Sequence, residues 1–187
     1  MSAMEKIAIL GSRIITVTSD SYLWLGQGFV GPVSIEFIWL LVVAVFSYLL
    51  LQKSVFGRHL YIMGSSEKSA FLAGINTSST CLITYIIVGV LSALAGIVYT
   101  AHYSVANNYA GRNMEIAIIA AVVVGGANLS GGKGTVLNTV AGVLVLELIF
   151  NALALNNVNP YWVPVIQGFI IMAAVAIDRL IGKEKYR

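Results

Sequence analysis

The sequence predicts an all-α fold, a polytopic transmembrane helical bundle of about four long spans plus one short or broken membrane helix. Three observations carry that prediction. Of 187 residues, 58% are hydrophobic and only 10% charged, whereas a soluble chain carries about 25% charged residues. Four apolar stretches each approach the roughly 20 residues that a hydrocarbon core demands. Eleven Lys and Arg against eight Asp and Glu leave a net +3, which fits charged loops at a membrane face better than nucleic-acid binding.

The whole chain, 1–187, reads as a single transmembrane domain. Residues 1–32 are mixed and Gly-rich, ending in Gly26-Gln-Gly-Phe-Val-Gly-Pro32, and are expected to form an irregular extracytoplasmic segment. The apolar run 7–10 is too short for the core of a signal peptide. Residues 33–51 make the first span, with Glu36, Trp39 and Tyr48 toward its ends, where interfacial residues belong. Residues 52–79 are a polar connection carrying Lys53, Arg58, His59, Glu67 and Lys68. A second span covers 80–101, with Gly89, Ser92, Ala93 and Gly96 spaced to let helix backbones approach closely.

The short or broken helix is 116–127, since twelve helical residues reach only about 18 Å. It runs into the glycine-dense stretch Gly125-Gly-Ala-Asn-Leu-Ser-Gly-Gly-Lys-Gly134. Residues 136–155 and 162–181 are the third and fourth long spans, joined by the turn Asn156-Asn-Val-Asn-Pro160. If the short segment crosses, one side holds Lys53, Arg58, Lys68, Lys133, Arg179, Lys183, Lys185 and Arg187, and the other holds Lys6, Arg13 and Arg112. Only charges within about 15–20 residues of a span orient it. Setting aside Lys6 and Arg13 leaves eight against one, so 52–79 and the C-terminus are expected in the cytoplasm.

Catalytic chemistry finds little support. Cys81 is the lone cysteine, which excludes an internal disulfide and a thiolate metal site. His59 and His102 are expected in different loops, so no histidine metal site and no cofactor are predicted. An intramembrane enzyme would need a Ser–His or paired-carboxylate arrangement at membrane depth, and none is present. Leu129-Ser-Gly-Gly-Lys133 resembles an ATPase signature, and Gly132-Lys133 a phosphate loop. The phosphate loop, however, requires Ser or Thr after the lysine, following a soluble strand. Position 134 is Gly, so nucleotide binding is rejected.

Two features of the spans invite a transport reading. Gly125, Gly126, Gly131, Gly132 and Gly134 break the helix, and irregular backbone at membrane depth survives only where protein or water satisfies it. Asn128, Ser130 and Lys133 are candidates to line such a wet zone; the plainer alternative is a tight interhelical turn. Glu147 lies mid-span with Asn151 one turn on. An acidic residue there marks a pathway by default, although a protonated, hydrogen-bonded interface residue is the reading favoured here.

Two motifs point further. Gly57, Arg58, Tyr61, Gly64, Ala70, Gly74 and Ile75 match a loop of the form Gly-Arg-x-x-Tyr-x-x-Gly-x-x-x-x-Ala-Ala-Arg-x-x-Gly-Ile. Ile118-Ile-Ala-Ala-Val-Val-Val-Gly-Gly-Ala-Asn-Leu-Ser-Gly-Gly-Lys-Gly134 matches a second run. In that order and spacing the chain, from about residue 22 onward, resembles the permease subunits of bacterial ABC importers for monosaccharides of the ribose, xylose, arabinose and galactoside type. It departs from them at Ser69-Ala70-Phe71, where the family usually has Ala-Ala-Arg, and at Glu147, where a small or apolar residue is usual. Those permeases are also longer at the amino terminus. The chain is therefore expected to correspond to their C-terminal portion, as a fragment, a split gene product or a short form.

The resemblance implies a multi-pass inner-membrane subunit for carbohydrate import. Its partners would be a separate ABC ATPase subunit, a second permease copy or paralogue, an extracytoplasmic sugar-binding protein and membrane lipid. It also implies that 52–79 is the cytoplasmic coupling loop, with Gly57, Arg58, Tyr61, Gly64, Glu67, Ala70 and Gly74 forming a short helix that docks on the ATPase. Tyr61, Ile62, Phe71 and Leu72 are the expected anchors to the membrane domain. The alternatives are an ordinary solvated loop, and a non-transporting fragment or other small multi-span protein.

Overall fold

The computed structural model describes residues 15–16, 19–106, 111–112, 114–129, 131–159 and 161–184. Ser130, Lys6, Arg13, Lys185 and Arg187, all used above, lie outside the described residues. The chain divides into two compact units, Met1–Val43 with Cys81–Arg112, and Ala44–Thr80 with Asn113–Arg187.

Among the described residues, three helices have the length and apolarity to cross a membrane: Ile35–Lys53, Thr77–Tyr103 and Val136–Leu155. The first is α2 (Ile35–Tyr48) continued by a π-helical turn, Leu49–Lys53. The others are α5 (Thr77–Tyr103) and α7 (Val136–Leu155). The fourth expected span is α8, Trp162–Glu184. The short segment is α6, Met114–Val124, of 11 residues. Among the described residues the chain is thus helical, with three long apolar helices and two shorter apolar stretches, Met114–Val124 and Trp162–Ala173, as fits a helical membrane protein. It starts its first span two residues late because Val33–Ser34 (β3) pairs with Phe29–Val30 (β2) as a hairpin. Gly31, at φ +63°, supplies the positive φ that a two-residue hairpin turn needs.

In the first unit, irregular backbone was the expectation for 1–32, yet Asp20–Gln27 is a helix, α1. Gly26 reads as a breaker in the sequence but acts as a packing residue. A Cβ there would overlap the backbone of Ala101 and His102 on α5. Polar contacts hold the same crossing: Tyr22 Oη to Thr100 Oγ1, and Gln27 Nε2 donating to His102 O at 2.7 Å and Ser104 Oγ at 2.8 Å. His102 is in the last turn of α5 rather than in a loop, and its Nδ1 lies 2.5 Å from Glu36 Oε1. Strand β1 (Ile15–Thr16) pairs antiparallel with β4 (Val105–Ala106).

The second unit has its core where α6 meets α7 and α8. Ala120, Ala121 and Leu146 are buried together, with Val124, Phe150, Ile170 and Ile171 around them. Small residues permit this approach. A Cβ on Gly125 would meet Asn138 O at 2.5 Å, and one on Gly142 would meet Gly125 N at 2.7 Å. In lipid such close packing, rather than hydrophobic exclusion, holds helices together. Helix α6 ends in a Schellman cap, Gly126 N–H donating to Val123 O at 2.8 Å and Ala127 N–H to Val122 O at 3.1 Å. Thr135 opens α7, its Oγ1 accepting from Asn138 N–H.

Candidate coupling site

The polar connection 52–79 is two helices rather than a loop: α3, Val55–Ser65, and α4, Glu67–Leu72. Serines start both. Ser54 Oγ accepts from Gly57 N–H at 3.0 Å, and Ser66 Oγ from Ser69 N–H at 3.2 Å, each satisfying one orphan amide of a first turn.

The first motif becomes intelligible on α3. Gly57, Tyr61 and Gly64 stand at i, i+4 and i+7, hence on one face. Gly57 is buried, and a Cβ on it would come 2.6 Å from Leu50 O; its missing side chain lets α3 fold back tightly on the end of the π-helical turn. Tyr61 Oη donates to Gly134 O at 2.7 Å. A Cβ on Gly64 would lie 2.7 Å from Gly132 N. One helix face therefore meets the glycine-dense stretch, and the two sequence motifs form one site.

The glycine stretch is shaped to receive it. Asn128 N–H donates to Lys133 O at 3.1 Å and Gly131 N–H to Asn128 O at 2.9 Å, closing the loop on itself. Gly131 and Gly132 have φ +88° and +74°, a region in which an L side chain is strained. A Cβ on Gly131 would also come 2.5 Å from Gly64 O. Both requirements select glycine at these positions.

The end of the first motif is a helix stop. Gly74, at φ +76°, donates its N–H to Phe71 O at 3.0 Å while Ile75 N–H reaches Ala70 O at 3.1 Å. This is a Schellman cap with its hydrophobic contact, and Ala70 and Ile75 are 0% and 8% exposed. Asn76 follows at once as the cap of α5, its Oδ1 accepting from Ser79 N–H at 3.0 Å. Here the anchor expectation needs correction. Phe71 and Leu72 are 72% and 86% exposed and Ile62 is 42% exposed, so they are not buried anchors; of the four expected, Tyr61 makes the contact, through Gly134 O. A short turn ended by Gly74 leaves residues 71 and 72 facing outward. Arg58, Glu67 and Lys68 are exposed as well.

The remaining candidates separate from this site. Glu147 and Asn151 lie exposed on α7, about 16 Å and more along the helix from its capped start. The structure does not bring them to the glycine loop. Lys133 is exposed on the loop and Asn128 half-buried. Sequence reasoning missed Gln167, 7% exposed on α8, and the Glu36–His102 pair. Among the described residues, no group of three or more His, Cys, Asp or Glu could hold a metal ion.

A family model described as "Branched-chain amino acid transport system / permease component" matches residues 4–175. The chain belongs to this permease family. The ribose import permease protein RbsC of Bacillus subtilis (strain 168) is 36% identical over 162 residues, covering 87% of this chain and 50% of that protein. The D-allose transport system permease protein AlsC of Escherichia coli (strain K12) is 38% identical over 151 residues, 81% of this chain and 46% of that protein. The xylose transport system permease protein XylH of Haemophilus influenzae is 39% identical over 139 residues, 74% of this chain and 37% of that protein. The chain thus spans about half the length of the curated relatives it matches. No solved structure matches it.

Proposed function

We propose that this permease-family chain serves in an ATP-binding-cassette importer that moves a monosaccharide across the bacterial inner membrane. A separate ATPase subunit docks on α3 and α4, an extracytoplasmic binding protein delivers the sugar, and a second permease copy or paralogue completes the pathway. The reaction is alternating access, with no bond made or broken on this chain. One observation supports this most strongly. Helix α4 carries exposed Phe71 and Leu72, and α3 is seated on the glycine loop through Tyr61 and Gly64. A solvated loop needs neither feature.

Deleting the gene is expected to abolish high-affinity uptake of one pentose or hexose, with ribose, allose and xylose tested first, and complementation to restore it. Unchanged uptake of every sugar tested would support the non-transporting fragment instead. The inner-membrane location and the cytoplasmic C-terminus are proposals on the same footing, supported by the eight-to-one charge distribution. Alkaline phosphatase, active only outside the cytoplasm, is expected to stay silent when fused after Arg187. A strong signal would mean that α6 does not carry the chain across.

A further inference from the structure

We infer that Tyr61 and Gly64 pass the ATPase stroke into the bundle through the Gly131–Gly134 backbone, so that α3 and the start of α7 move as one piece. The inference rests on the coupling reading above and goes beyond it by naming where the load leaves α3. The second motif is then the receiver of the first.

Three observations carry it. Tyr61 Oη donates to Gly134 O at 2.7 Å, and the next residue, Thr135, caps α7. A displacement of the tyrosine therefore acts directly on the helix start. Second, the contact at Gly64 is backbone against backbone: a Cβ on Gly64 would lie 2.7 Å from Gly132 N, and one on Gly131 would lie 2.5 Å from Gly64 O. No flexible side chain stands between them to absorb a push, and close-packed protein transmits strain rather than yielding. Third, among the described residues α3 packs extensively on α4 and the π-helical turn, and at most slightly on α6, α7 or α8. The glycine loop is therefore the short route from α3 to that bundle. Beyond the loop, the Gly125–Asn138 and Gly142–Gly125 approaches tie α7 to α6. A loop that served only as a turn would need no tyrosine from 73 residues away.

Tyr61 and Gly64 are positioning residues on this account, so the test reads stoichiometry rather than activity alone. In the assembled transporter, Tyr61→Phe removes one hydrogen bond and keeps the ring, while Gly64→Leu wedges the contact apart. Both leave Phe71 and Leu72 untouched. Expected are unchanged binding of the ATPase subunit, continued ATP hydrolysis, and sugar moved per ATP lowered several-fold by Tyr61→Phe and tenfold or more by Gly64→Leu. Variants that bind the ATPase and keep the normal sugar-to-ATP ratio would overturn the relay while leaving the coupling reading intact. Failure of the unmutated chain to bind any ATPase would remove the coupling reading, and the relay with it.

Discussion

Gly142→Leu is expected to unseat the second unit, whereas Gly89→Leu, an equal change on another span-length helix, is expected to leave the isolated chain folded. A Cβ on Gly142 would overlap Ala121 O and come 2.7 Å from Gly125 N, both backbone atoms that cannot swing away. Leucine adds three more carbons into the same gap. Overpacking a well-filled core costs typically about 1–3 kcal/mol, and with backbone as the obstacle the upper end applies. For a chain of this size about 3 kcal/mol corresponds to roughly 6–12 °C in thermal midpoint. Nothing lies within 4 Å of a Cβ on Gly89, so leucine there meets open space. Thermal unfolding of the two purified variants in one detergent measures the contrast. Equal losses would mean that the α6–α7 crossing is not the tight contact described.

The spans were legible because a bilayer imposes a strong, one-dimensional constraint: enough consecutive apolar residues, in helical form, or none at all. Segment 136–155 is predicted and found with the same ends, and 80–101 differs from Thr77–Tyr103 only by the polar turns that extend past the apolar run. What sequence could not supply is pairing in space. Residues 61 and 134 are far apart in the chain, and nothing in either motif taken alone says that they touch. Yet the 57, 61, 64 spacing is a helix face, and reading it as one would have pointed all three residues at a common surface. Phe71 and Leu72 misled for a simple reason. An apolar residue in a polar stretch looks like an anchor, but a six-residue helix stopped by Gly74 buries only Ala70. Gly26 misled in the opposite direction, reading as part of an irregular segment where it permits a close helix crossing.

The largest functional effect is expected from Phe71→Asp with Leu72→Asp. Both side chains project from α4 with 72% and 86% of their surface open, between exposed Glu67 and Lys68 on one side and the Gly74 turn on the other. Neither supports the fold, so the double change should leave the chain in the membrane at normal abundance. On the proposed ATPase interface they are the apolar anchors within a polar rim, the arrangement in which individual residues contribute about 2 kcal/mol or more to binding. Losing both corresponds to roughly a thousandfold in affinity, since each 1.4 kcal/mol is about tenfold, before the added cost of desolvating two carboxylates. Membrane-fraction immunoblots, co-purification of the ATPase and sugar uptake separate the outcomes. Normal abundance with lost co-purification and lost uptake is the expected result. Retained co-purification and uptake would show that the ATPase seats elsewhere, and that these two side chains face lipid or another helix instead.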